Sequence, residues 1–339
     1  MKQIYFAVII LLSCASAATA QQAKSLKFND KGKFKILQLA DIHYNPNYQT
    51  SINTMLGIDS MLLMEKPDLV VFTGDNVTGN PRDEGYHEVL DVIKKRNIPF
   101  LCVFGNHDDE KSLTSDQQIL TRAQLFEIVQ SYPQNMTTTA KGIHGYGNGY
   151  ITINNRQGKP ERILYTFDSN AYSQLDGVKG YDHIRADQVQ WYRETSASLK
   201  TQYGDSLPLP ALAFFHIPLP EYNQAAAEET APLRGSRLEK ACAPPINSGL
   251  FTAFREMGDV QATFVGHDHD CDYAVMWYGI MLAYGRSSGN GTTYGNLKPN
   301  GCRIIELTEG DRNFRTWHRL RDGRVIDELQ YPDDLIKKN

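Results

Sequence analysis

Five apolar segments of the chain each end in a short run of polar residues, and this repeated arrangement limits the folds available. The segments are FKILQLAD (34–41), DLVVFTGD (68–75), PFLCVFGNHD (99–108), ALAFFHIP (211–218) and VQATFVGHDHD (260–270). Apolar residues at helical spacing separate the first three segments, over 52–65 and 86–97. A strand–helix–strand–helix–strand order predicts parallel strands joined by right-handed crossovers.

The rest of the chain continues with short strands and helices. A helix is predicted over 115–130, with Ser115 as its N-cap. The strand-rich second half indicates a mixed or second sheet, and no Pro/Gly/Ser linker divides the chain, so we predict one layered α/β domain over 21–339. Its other predicted strands are 149–153, 162–167, 211–217, 260–265, 274–283 and 302–307, and its other helices are 185–203 and 247–257.

The first twenty residues are typical of a secretory signal peptide. Lys2 precedes an apolar run from Ile4 to Leu12, and small residues follow up to Ala20. This layout predicts cleavage before Gln21. The run is too short to remain as a transmembrane helix. We therefore expect an exported protein, periplasmic or secreted. A lipid anchor is the alternative, because LLSC around Cys14 resembles a lipoprotein cleavage site.

The composition gives no indication of a nucleic-acid or membrane partner. The formal net charge is −4 with 22% charged residues, and beyond the first twenty residues no segment is long and apolar enough to span a bilayer. A small-molecule partner is expected instead.

The cysteines of the mature chain leave two possibilities open. Export implies an oxidising compartment, in which disulfides form. Cys102 lies in an apolar strand and is predicted to be a buried free thiol. A Cys242–Cys271 disulfide is the expected pairing, and the alternative is that no cysteine is paired.

The polar residues at the ends of the strands form one candidate site. In open α/β sheets ligands bind outside the carboxyl ends of the strands. Imidazole, carboxylate and amide oxygen without thiolate suit Zn, Fe, Mn, Ni or Co. More ligands are present than the four of a structural zinc site, so two ions sharing a carboxylate use them economically. The candidates are Asp41, His43, Asp75, Asn106, His107, Asp108, His216, His267 and His269, while His87, His144, His183 and His318 are interpreted as surface or structural residues.

In this order the motifs resemble those of a known family. Asp-x-His, Gly-Asp, Gly-Asn-His-Asp, a strand-terminal His and Gly-His-x-His, running from Asp41 to His269, are the signature of calcineurin-like metallophosphoesterases. FFHIPLPEY (214–222) and VGHDHD (265–270) are similar to the group related to purple acid phosphatases. The resemblance implies an α/β sandwich of two mainly mixed β-sheets flanked by helices, and two transition-metal ions (Fe, Mn, Zn or Ni). It places Asp41, His43, Asp75 and His269 on one ion, Asp75, Asn106, His216 and His267 on the other, and His107 toward the substrate.

Two departures from related families affect phosphate recognition. Thr78 stands where purple acid phosphatases carry a tyrosine ligand, so no tyrosine–iron charge-transfer band is expected. The stretch GDNVTGNPRD lacks the phosphate-binding arginine motif of protein phosphatases. The candidates for substrate contact are therefore Asn76, His144, Tyr222 and Arg286.

The predicted function is that of an exported, metal-dependent phosphoric ester hydrolase. A hydroxide between two ions would attack phosphorus. His107 would protonate the leaving group or stabilise charge in the transition state, and Asp108 would orient a histidine or the loop. A phosphomonoesterase is favoured. The alternatives are a phosphodiesterase or nucleotidase, a non-catalytic metal- or phosphate-binding protein, and a structural or adhesion module. The last nine residues, YPDDLIKKN, are predicted to form a polar tail.

Overall fold

A computed structural model of the protein describes residues 24–110, 119–204, 206–228 and 232–336. The predicted signal peptide and the alternative anchor at Cys14 lie outside these residues, so both stay predictions.

The described residues form strands and helices that alternate only in part of the chain. The strands are β1 Lys24–Lys27, β2 Lys33–Leu39, β3 Leu69–Thr73, β4 Phe100–Val103, β5 Gly149–Asn154, β6 Pro160–Thr166, β7 Ala211–Phe214, β8 Val260–Val265, β9 Ala274–Trp277, β10 Ile280–Tyr284, β11 Gly301–Thr308, β12 Phe314–Leu320 and β13 Val325–Tyr331. The helices are α1 Gln49–Glu65, α2 Arg82–Lys95, α3 Arg122–Gln130, α4 Ala186–Tyr203, α5 Glu221–Ala227 and α6 Leu250–Met257, followed by a 3₁₀ turn at Asp333–Leu335.

Two mixed sheets face each other, which confirms the predicted fold class. One has the order β13-β12-β11-β2-β3-β4, with β2, β3 and β4 parallel and the rest antiparallel. The other has the order β1-β5-β6-β7-β8-β10-β9, in which β6, β7, β8 and β10 are parallel.

Apolar side chains fill three layers. Between the sheets lie residues such as Ile36, Val71, Phe214 and Phe264, all fully buried or nearly so. Helices α1, α2 and α3 cover the outer face of the first sheet, and α4 and α6 cover that of the second. Burying a side chain of this kind contributes roughly 1.5–3 kcal/mol, so the layers together hold the strand ends in place.

A buried glutamine connects the two sheets next to the site. The side-chain amide of Gln38 in β2 donates to Thr73 Oγ1 in β3 at 3.0 Å and to the carbonyl of Val265 in β8 at 2.9 Å. Gln38 is fully buried, so these bonds are not exchanged with water. The carboxyl ends of β2 and β3 are thereby held against the carboxyl end of β8.

The structure differs from several predicted elements. The described part of the predicted 115–130 helix begins at Arg122, because Thr121 forms a capping box with Gln124; residues 115–118 lie outside the described chain. The run 274–283 is a hairpin of β9 and β10. The predicted polar tail is wrong at its start, since residue 331 ends β13 and Leu335 is buried. Strands β1, β12 and β13 and helix α5 were not predicted.

The expected disulfide is not formed. Cys242 and Cys271 are free, with Cys242 exposed and Cys271 buried. The thiol of Cys271 donates instead to the carbonyl of Glu239 at 3.4 Å. Cys102 is a buried free thiol as predicted.

Among the described residues, no helix combines the length and the hydrophobicity needed to cross a bilayer.

Candidate metal centre

The predicted candidate ligands all follow strands at one end of the two sheets. Asp41 and His43 follow β2, Asp75 follows β3 and Asn106 follows β4. The second sheet contributes His216 after β7, and His267 and His269 after β8. Parallel strands place their carboxyl ends at one edge, so residues more than 200 positions apart in the chain become neighbours.

One group combines Asp41, His43, Asp75 and His269, whose potential ligand atoms all lie within 4.8 Å of one another. His43 Nε2 lies 3.1 Å from His269 Nε2 and 3.5 Å from Asp75 Oδ2. His269 Nε2 lies 3.7 Å from Asp41 Oδ1. All four residues are buried.

A second group combines Asp75, His216 and His267. His216 Nε2 lies 3.3 Å from Asp75 Oδ2, 3.2 Å from His267 Nδ1 and 3.2 Å from Asn106 Oδ1. Asp75 therefore belongs to both groups. The geometry brings together the two ligand sets that the resemblance implied.

The residues fit a pair of transition-metal ions. Imidazole nitrogens face each other across the two groups, and His267 Nε2 is buried without a hydrogen-bond partner. Burial lowers the pKa of His43 to about 3 and that of His269 to about 4, which keeps both rings in the neutral form that binds metals. Nitrogen and carboxylate donors without thiolate match Zn, Fe, Mn or Ni.

Two other groups hold protons when no cation is present. Burial raises the pKa of Asp41 to about 8. Burial would lower the pKa of His216, but attraction to Asp75 and Asp41 and hydrogen bonds to Asp75 and Thr73 together raise that pKa to about 9. A cation would displace these protons, because ligation requires the deprotonated carboxylate and the neutral imidazole.

The backbone of the site is strained at several ligands, and at the glycines next to the ligands there is no room for a side chain. Asp41, His43, Asp75 and His267 have φ of 55°, 47°, 51° and 80°, a left-handed region that costs side-chain-bearing residues of order 1–3 kcal/mol each. The preceding glycines leave room for the ligands. A Cβ on Gly105 would lie 2.1 Å from Asp75 Oδ1, on Gly266 2.8 Å from Asp41 Oδ2, and on Gly74 2.5 Å from His216 Nδ1.

Asp108 holds the loops behind the centre, which is the second of its two predicted roles. Its carboxylate accepts hydrogen bonds from the backbone N–H groups of Gly105 at 2.7 Å, Asn76 at 2.9 Å and Val77 at 3.1 Å, and from the hydroxyl of Tyr86 at 2.6 Å. These bonds connect the loop after β3 to the loop after β4.

His107 lies at the mouth of the centre rather than inside it. Its side chain is 38% exposed, whereas the candidate ligands are buried. Its ring centroid is 5.4 Å from that of His43, and its backbone N–H donates to Asp75 Oδ1 at 2.8 Å. Its Nδ1 contacts a carboxylate oxygen of Glu110.

The four residues predicted to contact the substrate do not all lie at the centre. Tyr222 is buried in the core with its hydroxyl 2.8 Å from Thr263 Oγ1, and Arg286 is buried and paired with Asp272, so the structure corrects both assignments. Asn76 is buried behind the loop, and its amide donates to the carbonyl of Val103 at 3.1 Å. His144 is exposed and is one of the residues that line a cavity next to the centre, so its predicted contact with the substrate stays a prediction.

Several residues around the centre were not predicted. The guanidinium of Arg82 donates to the carbonyls of His107 and Asp108 after β4 and to that of Thr78 after β3. The rings of Tyr294 and Tyr181 lie 4.2 Å from His269 and 4.3 Å from His267. The acidic run that follows Gly-Asn-His could have indicated Glu110, but the tyrosines lie in distant loops with no recognisable spacing.

Comparison with known proteins agrees with this geometry. The family model described as calcineurin-like phosphoesterase matches residues 34–271. The chain is 34% identical to "Probable inactive purple acid phosphatase 29" of Arabidopsis thaliana, over 95% of this chain and 92% of the relative. It is also 34% identical to "Phosphatase DCR2" of Saccharomyces cerevisiae, over 88% of this chain and 55% of the relative.

Two solved structures share the fold at low sequence identity. A dimetal phosphatase from Danio rerio superposes with a TM-score of 0.58 at 15% identity, covering 88% of this chain and 98% of that one. A purple acid phosphatase from yellow lupin gives 0.54 at 15% identity, covering 90% and 55%. From the family match, the identity to the curated relatives and the fold, the chain belongs to the calcineurin-like phosphoesterase family.

Proposed function

We propose that this protein is a metal-dependent phosphoric ester hydrolase that acts on phosphomonoesters. One observation carries the proposal: two buried ligand groups share Asp75, and an accessible histidine lies at their mouth. A centre that only stabilised the fold would not need His107 exposed beside it.

The candidate ligands form two sets, one for each ion. Asp41, His43, Asp75 and His269 would hold one ion, and Asp75, Asn106, His216 and His267 the other. When bound, such ions supply a water of lowered pKa and stabilise charge on the phosphoryl oxygens.

His107 would act on the leaving group. Its Nδ1 is directed at Glu110, so Nε2 is the ring nitrogen left to donate a proton to the leaving oxygen. The hydroxyl of Tyr172 donates to the other oxygen of Glu110 at 2.9 Å and holds this carboxylate in place.

Charge balance favours a monoester. Arg82 and Arg122 lie near the loops, but their guanidinium groups are engaged by carbonyl and carboxylate groups of the protein. The ions must therefore supply the positive charge. Two cations of charge +2 or more against Asp41 and Asp75 leave a positive surplus, which suits the dianion of a phosphomonoester better than a monoanionic diester.

A second candidate function is metal or phosphate binding without catalysis, which the word "inactive" in the names of three relatives favours. Metal analysis of gently purified protein, followed by assays on p-nitrophenyl phosphate and bis(p-nitrophenyl) phosphate, separates the candidates. We expect two ions per chain and faster turnover of the monoester. Faster turnover of the bis-ester would make the protein a diesterase, and bound metal without any turnover would make it a binding protein.

We also infer that the protein is exported, from the pattern of residues 1–20. Intact mass of the mature chain tests this inference. A chain beginning at Gln21 supports a cleaved signal peptide, and a lipid-modified Cys14 supports the anchored alternative.

A further inference from the structure

A cavity of about 600 Å³ lies beside the metal centre and has no role in the hydrolysis proposed above. Its volume falls in the range of roughly 300–1,000 Å³ that is usual for small-molecule sites. Tyr172 lines it, and the hydroxyl of Tyr172 is also 3.3 Å from the Asn106 amide nitrogen. The cavity is therefore separated from a candidate metal ligand by a single side chain.

A second contact fixes the cavity relative to the centre. Arg122, which also lines the cavity, donates to the carbonyl of Gly105 at 2.6 Å, one residue before Asn106. The cavity is thus held next to the candidate ligand Asn106.

The charges of the cavity exclude a second phosphate group. The lining contains the carboxylates of Asp109, Asp168 and Asp182 and the guanidinium groups of Arg122 and Arg185, one negative charge in excess. Both arginines are already paired with these carboxylates. A polyanionic leaving group would be repelled, whereas a neutral one would not.

The remaining groups suit a ring that carries hydroxyl groups. Tyr146 and Tyr172, each 38% exposed, contribute aromatic rings to the lining. Arg185 Nε is buried and has no hydrogen-bond partner, and the paired carboxylates keep unused acceptor lone pairs. Aromatic rings beside fixed donors and acceptors match the alternating apolar and hydroxylated faces of a sugar.

We propose that this cavity binds the alcohol part of the substrate, and that this part is a neutral ring bearing several hydroxyl groups, as in a sugar phosphate or a nucleoside monophosphate. The inference rests on the proposed function, since it uses the centre as the phosphate site. Arg185 and Tyr146 then determine specificity without touching the metals.

Three primary alkyl phosphates test the proposal because their leaving groups are of similar reactivity: ethyl phosphate, glucose 6-phosphate and adenosine 5′-monophosphate. We expect kcat/KM for at least one ring-bearing ester to exceed that for ethyl phosphate about tenfold or more. Arg185→Gln and Tyr146→Ala should each reduce this ratio about tenfold. Which ester responds distinguishes a sugar from a nucleoside.

Matched controls lie elsewhere on the molecule. Arg193 lies on α4, whose N-cap residue is Arg185, and pairs with Glu256. Tyr278 is 69% exposed in the β9–β10 turn. Arg193→Gln and Tyr278→Ala should leave the ratio unchanged. Equal kcat/KM for all three esters in the wild type, or pocket variants that fold and keep the wild-type ratio, would overturn the proposal.

Loss of the proposed function is recognised separately. If neither p-nitrophenyl phosphate nor any of the three esters is hydrolysed, the hydrolase proposal fails. Titration calorimetry of the metal-replete protein with the same esters then decides the inference. Tighter binding of a ring-bearing ester, weakened by Arg185→Gln, supports it, and equal binding of all three esters refutes it.

Discussion

Among the described residues, the metal centre and a second cluster of histidine and aspartate differ in how their negative charge is balanced. The second, which we call the Arg-paired cluster, consists of Asp272, His318 and Asp327, with His318 Nδ1 3.2 Å from Asp327 Oδ2. One of its two carboxylates, that of Asp272, is paired with an arginine. Arg286 pairs with the side chain of Asp272, and Arg303 donates to the backbone carbonyl of Asp272 at 2.7 Å.

The metal centre has no such partners. Within the described residues, the ion pairs of Asp41 and Asp75 are formed with histidines alone. Without a cation, this cluster is balanced only by protons on Asp41 and His216, and ligation of a cation displaces those protons. A compact group of His and Asp therefore indicates a metal site only where no arginine or lysine already supplies the positive charge that balances the carboxylates.

The largest effect is expected from Asp75→Asn, because both ligand groups share this carboxylate. The variant should lose both ions, and its kcat/KM should fall more than about 10³-fold, since the ions supply several kcal/mol of transition-state stabilisation. Metal analysis and the p-nitrophenyl phosphate assay measure the two effects. Asp75 would not be the shared ligand if the variant kept two ions and the wild-type rate.

Asp272→Asn tests the other half of the comparison. It removes the charge that balances Arg286, and breaking a buried ion pair costs about 3–5 kcal/mol, so the free energy of unfolding should fall by that much while two ions remain bound. Urea denaturation and metal analysis measure these quantities. Asp59→Asn is the control: it breaks a pair with Arg96 in which Asp59 is 40% exposed, and such pairs contribute little. Loss of metal in Asp272→Asn with unchanged stability would reverse the assignment of the two clusters.

His107→Ala separates chemistry from metal binding. Removing a general acid typically lowers kcat by about 10²–10⁴-fold, and bound metal should stay near two ions because the ring lies at the mouth. His87→Ala, at an exposed histidine on α2, should keep both activity and metal. Should His107→Ala lose both ions instead, His107 is a ligand and its proposed role is wrong.

The candidate ligands could be predicted from the sequence because each follows an apolar strand directly. Parallel strands bring their carboxyl ends together, so Asp41 and His267 needed no knowledge of the packing to be grouped. The glycines before Asp75 and Asn106 were part of the same pattern, and the structure gives their reason: a Cβ there would collide with a ligand.

Tertiary contacts decide what could not be predicted. Arg286 lies in a glycine-rich loop typical of phosphate recognition, yet the fold places Asp272 against it. Tyr222 follows the strand-terminal histidine closely, but α5 turns its hydroxyl toward Thr263 in the core. Strand β12 carries alternating charged residues such as Arg315 and Arg319, so its sequence does not show the apolar run of a buried strand.

The smallest expected effect concerns acid stability and again distinguishes the clusters. Burial, with a contribution from Arg303, lowers the pKa of His318 to about 4, against about 6.5 in the unfolded chain. The unfolded state therefore takes up this proton first. The contribution of neutral His318 to the free energy of unfolding is fully present above pH 6.5. It is lost as the pH falls toward 4, by up to about 3 kcal/mol.

His318→Gln cannot take up that proton, so its free energy of unfolding should fall less between pH 6.5 and 4 than that of the wild type. Urea denaturation of both proteins with a chelator present measures this difference, because the titration of the metal-free centre is then common to both. The remaining difference reports on the Arg-paired cluster alone, in which burial, with a contribution from Arg303, keeps an imidazole neutral. Parallel pH profiles for the two proteins would show that His318 is not held neutral by its surroundings, and the contrast between the clusters would then rest on the carboxylates alone.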